Sequence, residues 1–157
     1  MARIATITAV AAGAALLFIG YQKMNIPRGI RYNNPGNIEK GQNWNGIAST
    51  QPAGRYLAFQ TPEYGIRAMA RILRTYREKH GKQSVHDIIH RWAPDFENPT
   101  ANYVNFVAGK LDVKPDDTLK FTDARVADLI AAMIHFENGQ QPYSRSTLLA
   151  GIELERT

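Results

Sequence analysis

"TPEYGIRAMARILRTYREKHG", residues 61 to 81, decides the fold class. Thr61 suits an N-cap and Pro62 the first helical position, where its missing N–H costs nothing. Glu63 falls in the first turn, and Gly81 suits a terminator. Between them Ile66, Met69, Ala70, Leu73 and Tyr76 recur at helical spacing. The segment therefore reads as an amphipathic helix with one face against a core.

The same punctuation continues towards the C-terminus. Ser84 caps "VHDIIHRWAP", with Asp87 three residues on as in a capping box, and Pro94 ends it. Asn98-Pro99 opens a third helix running to Leu111. Thr122 caps a fourth that runs to Glu137 with Gly139 beyond its end, and Ser144 caps a last one. Residues 25–60 differ, being rich in Asn, Gly, Gln and Pro. Short β-like pieces at Asn37-Ile38, Trp44-Ile47 and Arg55-Phe59 suggest a small hairpin or meander. The expectation is a mainly helical α+β domain over 24–157, with one small β element among about five helices.

Composition narrows the function classes. The 157 residues are 44% hydrophobic and 21% charged, which suits one globular domain. There is no cysteine, so disulfides, thiol catalysis and cysteine metal sites are excluded. A formal charge of +5 favours anionic surroundings, whether nucleic acid, lipid or bacterial envelope. Residues 4–21, "IATITAVAAGAALLFIGY", carry no charge over about the length of a bilayer core. Residues 1–23 are accordingly expected to be a membrane anchor. A buried core helix is the alternative, and no small-x-small cleavage site supports a signal peptide. Ala9 and Gly13 would allow close helix packing, while charges on both flanks leave the orientation open.

Four groups of residues invite a chemical reading. His86 and His90 share a helix face as in a zinc motif, but no third ligand follows and Asp87 serves the cap. No metal or other cofactor is expected. Arg67, Arg71, Arg74 and Arg77 form a basic stripe that could track phosphates, or could be a solvated helix face. There is little of the aromatic interleaving that strand binders use, so nucleic acid is not the expected partner. "RGIRYNNPGNI" and "WNG" hold amides and aromatic rings suited to sugars, or else a turn-rich loop that needs Asn and Gly for its backbone.

The fourth is Glu137 in "LIAAMIHFENGQQPYS", residues 129–144. A carboxyl kept beside Leu129, Ile130, Met133, Ile134 and Phe136 would favour the protonated form that a general acid needs. An exposed acid at a helix end is the alternative, although the C-terminal dipole disfavours it there.

Arg28 to Ser144, through "RGIRYNNPGNI", "WNG", "TPEYGIRAMA", "RWAP" and "ENGQQPYS", resembles a family of small phage and prophage proteins. These are described as virion structural or virion-associated lysis proteins. "HFENG" is also similar to the segment ending on the catalytic Glu of lysozyme-like peptidoglycan-cleaving enzymes. "NNPGNI…WNG…RYLAF" is similar to the cleft hairpin of bacterial glucosaminidases, where the order is reversed, so the match implies a circular permutation. The resemblance implies a lysozyme-like domain that cleaves the peptidoglycan glycan strand, as a lytic transglycosylase or a muramidase-type hydrolase. Glu137 would be the acid and Glu39 the candidate second carboxylate. Asn33, Asn34, Asn37, Trp44 and Tyr143 would bind sugar. The protein would sit in the virion, or in the host inner membrane facing the periplasm, and serve genome delivery or lysis alongside other virion proteins. A non-catalytic virion protein binding glycan or DNA is the alternative.

Overall fold

The computed structural model describes residues 26–94 and 100–157. Six helices are found in them: α1 (Arg28–Arg31), α2 (Pro62–His80), α3 (Val85–Trp92), α4 (Thr100–Leu111), α5 (Asp123–Asn138) and α6 (Arg145–Leu154). The longest, α2, is the helix expected from residues 61–81. Its face of Ile66, Ala68, Met69, Ala70 and Leu73 is at most 1% exposed. Burying each of the larger side chains is worth about 1.5–3 kcal/mol.

Helix ends follow the sequence closely. The hydroxyls of Ser84, Thr122 and Ser144 accept from the backbone N–H groups of Asp87, Arg125 and Thr147. Thr61 stands at the N-cap position of α2, but its side chain makes no cap bond. Gly139 closes α5 at φ 69°, a left-handed conformation that glycine adopts without a Cβ penalty.

Helix α6 packs most extensively on α2, while α5 lies between α4 and α6. Leu129, Ile130, Met133 and Ile134 of α5 are therefore all buried, so this helix has apolar contact on more than one side. The α2–α6 junction is also polar. Arg67 Nε donates to the Leu154 carbonyl at 2.9 Å, supplying a partner that the end of α6 lacks. Glu155, 7% exposed, faces Arg71 at 3.1 Å and Arg74 at 2.5 Å. Arg77 reaches the Leu119 carbonyl at 3.0 Å. The arginine stripe is thus more than a solvated face, since only Arg71 of the four is exposed. It ties distant segments of the chain together.

The expected α+β lysozyme-like architecture must be corrected. Among the described residues there is no strand and no sheet, only isolated bridges Glu39↔Tyr56 and Ile47↔Phe59. The reason is that side-chain amides take over the work of a ladder. Asn34 Nδ2 donates to the carbonyls of Ile38 and Leu57 at 2.9 Å each, and its Oδ1 accepts from the Ile38 N–H. Gln51 repeats the device with Ala48 and Ala58. Asn33 and Asn37 adopt φ of 52° and 50°, which breaks any extended run. The segment is a loop layer laid over α2, and the permuted-hairpin reading falls with the sheet. The anchor expected at 1–23, with its span at 4–21, lies outside the described residues. No helix in them is long and apolar enough to cross a membrane.

Candidate functional site

The loop after α1 is pinned from both sides before any functional group is placed. Buried Asn34 holds its interior, and Asn33 Nδ2 fastens it to the carbonyls of Phe59 and Gln60 at 3.2 Å. Asn138, the residue after Glu137, donates to the Pro35 carbonyl at 2.8 Å. Gly65 of α2 allows the close approach, since a Cβ there would stand 2.0 Å from the Asn33 carbonyl oxygen. The end of α5 and the Asn-rich loop are consequently in contact.

Across that contact Glu137 meets Asn37, a hundred residues away in sequence. Asn37 Nδ2 donates to Glu137 Oε2 at 3.1 Å. The other carboxylate oxygen, Oε1, accepts from Trp92 Nε1 and from the Tyr103 hydroxyl, both at 3.1 Å. Asn37 is itself oriented by Arg28, whose guanidinium donates to its Oδ1 at 3.4 Å. The Arg28 guanidinium lies 3.7 Å from the Tyr56 ring centroid. Tyr103 is 2% exposed and stacked on Phe136 at 3.9 Å between centroids. Burial, with the neighbouring Glu137 charge and hydrogen bond, pushes its phenol well above the ordinary value of 10.0.

Glu137 is half-buried and opens onto a cleft of about 380 Å³. Arg28, Asn37, Tyr56, Tyr76 and Trp92 line this cleft with it. The arrangement is an aromatic-walled recess with one carboxylate held by uncharged donors. Such a recess suits a neutral, hydroxyl-rich ligand, because rings cover sugar faces while amides and carboxylates engage hydroxyls.

The other expected site residues separate. Glu39 lines the same cleft but is paired with Arg55 at 3.2 Å, and both are more than half exposed. Asn33 and Asn34 spend their amides on backbone carbonyls and do not line the cleft. Trp44 lines an adjoining groove, and its indole N–H meets no acceptor among the described residues. Tyr143 is away from the cleft. Burial, with Glu63 nearby, pushes its phenol up to about 12.

The rings of His86 and His90 lie 4.3 Å apart and tilted by 45° on the outside of α3. Among the described residues no three metal-ligating side chains converge there or elsewhere. Sequence reasoning missed Arg28, Tyr56, Trp92 and Tyr103. Tyr103 sits on the apolar stripe of α4 and reads as core, which it also is.

No family model matches the chain. It is 42% identical over 150 residues to Protein P5 of Pseudoalteromonas phage PM2, covering 93% of this chain and 91% of that protein. Similarity at this level along nearly the whole length places the chain in the family of that phage protein.

Proposed function

We propose that the protein is a virion component that engages the glycan strand of peptidoglycan in the Glu137 cleft and cleaves it there. The observation that carries this reading is the bond between Asn37 and Glu137 inside an open, aromatic-lined cleft. Glycosidic cleavage needs a proton delivered to the leaving oxygen, and a carboxyl fixed on three sides is positioned for that transfer. Glu39 is committed to Arg55, which favours a route with a single acid. In that route Glu137 protonates the leaving oxygen and then accepts the proton of the substrate's own attacking hydroxyl, as in a lytic transglycosylase. Asn37, Trp92 and Tyr103 keep its oxygens in register, while Tyr56 and Tyr76, which carry guanidinium groups over their rings, wall the cleft.

A second reading is a non-catalytic virion protein that holds glycan in the same place. The observation favouring it is that all three donors aim at the carboxylate, as they would around an acceptor for sugar hydroxyls. Mass spectrometry of muropeptides released by the full chain separates the two. Anhydro ends released by wild type and absent with Glu137→Gln support cleavage. A folded wild type that binds glycan and releases nothing overturns cleavage in favour of binding. Reducing ends would replace the transglycosylase route with hydrolysis.

A further inference from the structure

The Glu137 cleft does not stop at Tyr76. Ile38, Glu39, Ile72 and Tyr76 are common walls between it and a larger groove of about 880 Å³ that runs along α2. The two parts differ in charge. In the cleft Arg28 and Arg55 are matched by Glu39 and Glu137, so the charges balance. The groove presents Lys40, Arg67, Arg71, Lys79 and Arg91 against Glu39 alone, so its charge is strongly positive.

Most of these cations are held in place. Lys40 Nζ donates to the Pro52 carbonyl at 2.8 Å, and Arg67 and Arg71 are tied to Leu154 and Glu155. Arg91 lies over the Tyr76 ring, 5.0 Å from its centroid, with His80 at 3.0 Å. Each guanidinium keeps donors beyond those it uses. Lys79 makes no hydrogen bond or ion pair with any described residue. The groove is therefore a largely fixed array of donors whose positive charge exceeds the single carboxylate, Glu39, that lines it.

We propose that this basic arm binds the carboxylates of the stem peptides borne by the glycan strand whose sugars occupy the Glu137 cleft. This rests on the glycan reading above. Two depressions that share four wall residues can take one polymer, neutral where the charges balance and anionic where they do not. A glycan strand with acidic peptide branches has that distribution. A nucleic acid carries a phosphate at every residue and would need matching cations along its whole footprint, including the balanced end.

The test uses the full chain carrying Glu137→Gln, so that bound strands are not cut. Its affinity is measured for soluble glycan strands bearing stem peptides and for the same strands stripped of them by an amidase. Stem-bearing strands should bind about tenfold more tightly, with the difference shrinking as salt rises. Adding Lys79→Glu should reduce that preference to near one while leaving stripped-strand affinity unchanged. Arg91→Gln is a second variant with the same expected direction. Equal affinity for both strands overturns the stem-peptide arm and leaves glycan binding in the cleft intact. Binding to neither strand overturns both readings. Tighter binding to single-stranded DNA of matched length also overturns the arm, because the groove would then be a polyphosphate track.

Discussion

Glu137 in the last turn of α5 and Glu155 at the C-cap of α6 are both acids at helix ends, yet the protein treats them in opposite ways. Glu155 is buried at 7% exposure and faced by two arginines from α2. Glu137 is half-buried at the mouth of a cleft and held only by uncharged donors. A carboxylate matched by cations is a fastener, since its charge is already answered. One oriented by neutral dipoles remains open to whatever enters the cleft. The contrast lies in what the rest of the chain brings to each acid.

The sharpest way to break this contrast is to neutralise each acid in turn. Glu137→Gln should lower release of muropeptides by at least about 100-fold, the usual scale for a lost acid–base group. It should lower stability only by about 1 kcal/mol, because the amide oxygen can still accept from Trp92 and Tyr103 while its NH2 group loses the bond from Asn37. Muropeptide release and urea denaturation, measured on the same preparation, test both halves. A large loss of stability with retained release would reverse the roles assigned to the two acids.

Asn34→Ala strikes the support of the cleft rather than the acid. It deletes three buried hydrogen bonds and leaves the Ile38 N–H and the Leu57 carbonyl without partners, at a cost of about 3 kcal/mol. Because the same loop carries Asn37, stability and glycan binding should fall together. Denaturation read beside a binding titration shows whether they do. Glu155→Gln should cost about 2 kcal/mol, less than a fully buried pair because Arg71 is more than half exposed and can turn to water. Release should persist in that variant at temperatures where it stays folded. Loss of both at equal folded fraction would show that the α2–α6 junction reaches the cleft.

The smallest effect concerns Tyr103. Burial first, then Glu137, raises its phenol above 10.0. An unfolded chain therefore gives up this proton first, so the contribution to stability is complete below pH 10.0 and fades as pH rises through the elevated value. Removing the Glu137 charge should bring Tyr103 ionisation down, while burial keeps it above the ordinary value. An ultraviolet titration of wild type and Glu137→Gln reads this directly. An unchanged Tyr103 would mean that the two groups do not sense one another.

These contrasts also explain what sequence reading could reach. The helices from α2 to α6 were legible because their caps and apolar spacings are local. Ser84, Thr122, Ser144 and Gly139 serve as their neighbours require. Glu137 and Asn37 were legible as chemistry, being an acid beside apolar residues and an amide in a loop suited to sugars. The loop layer was misread because Asn and Gly mark hairpin turns and also mark loops whose amides replace strand pairing. Asn34 and Gln51 do the latter. The tying role of the arginine stripe was not legible because its partners, Leu154 and Glu155, arrive more than eighty residues later. Trp92 and Tyr103 carry no local sign of function. Their apolar bodies fit the core pattern, and only folding shows where their polar tips end.

The bonds that build the cleft span 100 residues from Asn37, 45 from Trp92 and 34 from Tyr103, all converging on one side chain. Each closure costs chain entropy that only the assembled core offsets. A ribosome-bound chain that has emerged as far as α4 holds every donor of the cleft and lacks the acid they point to. Synthesis itself thus sets the moment at which the cleft is complete. A protein with this arrangement would stay inert as a fragment and become competent only when its last helices have docked.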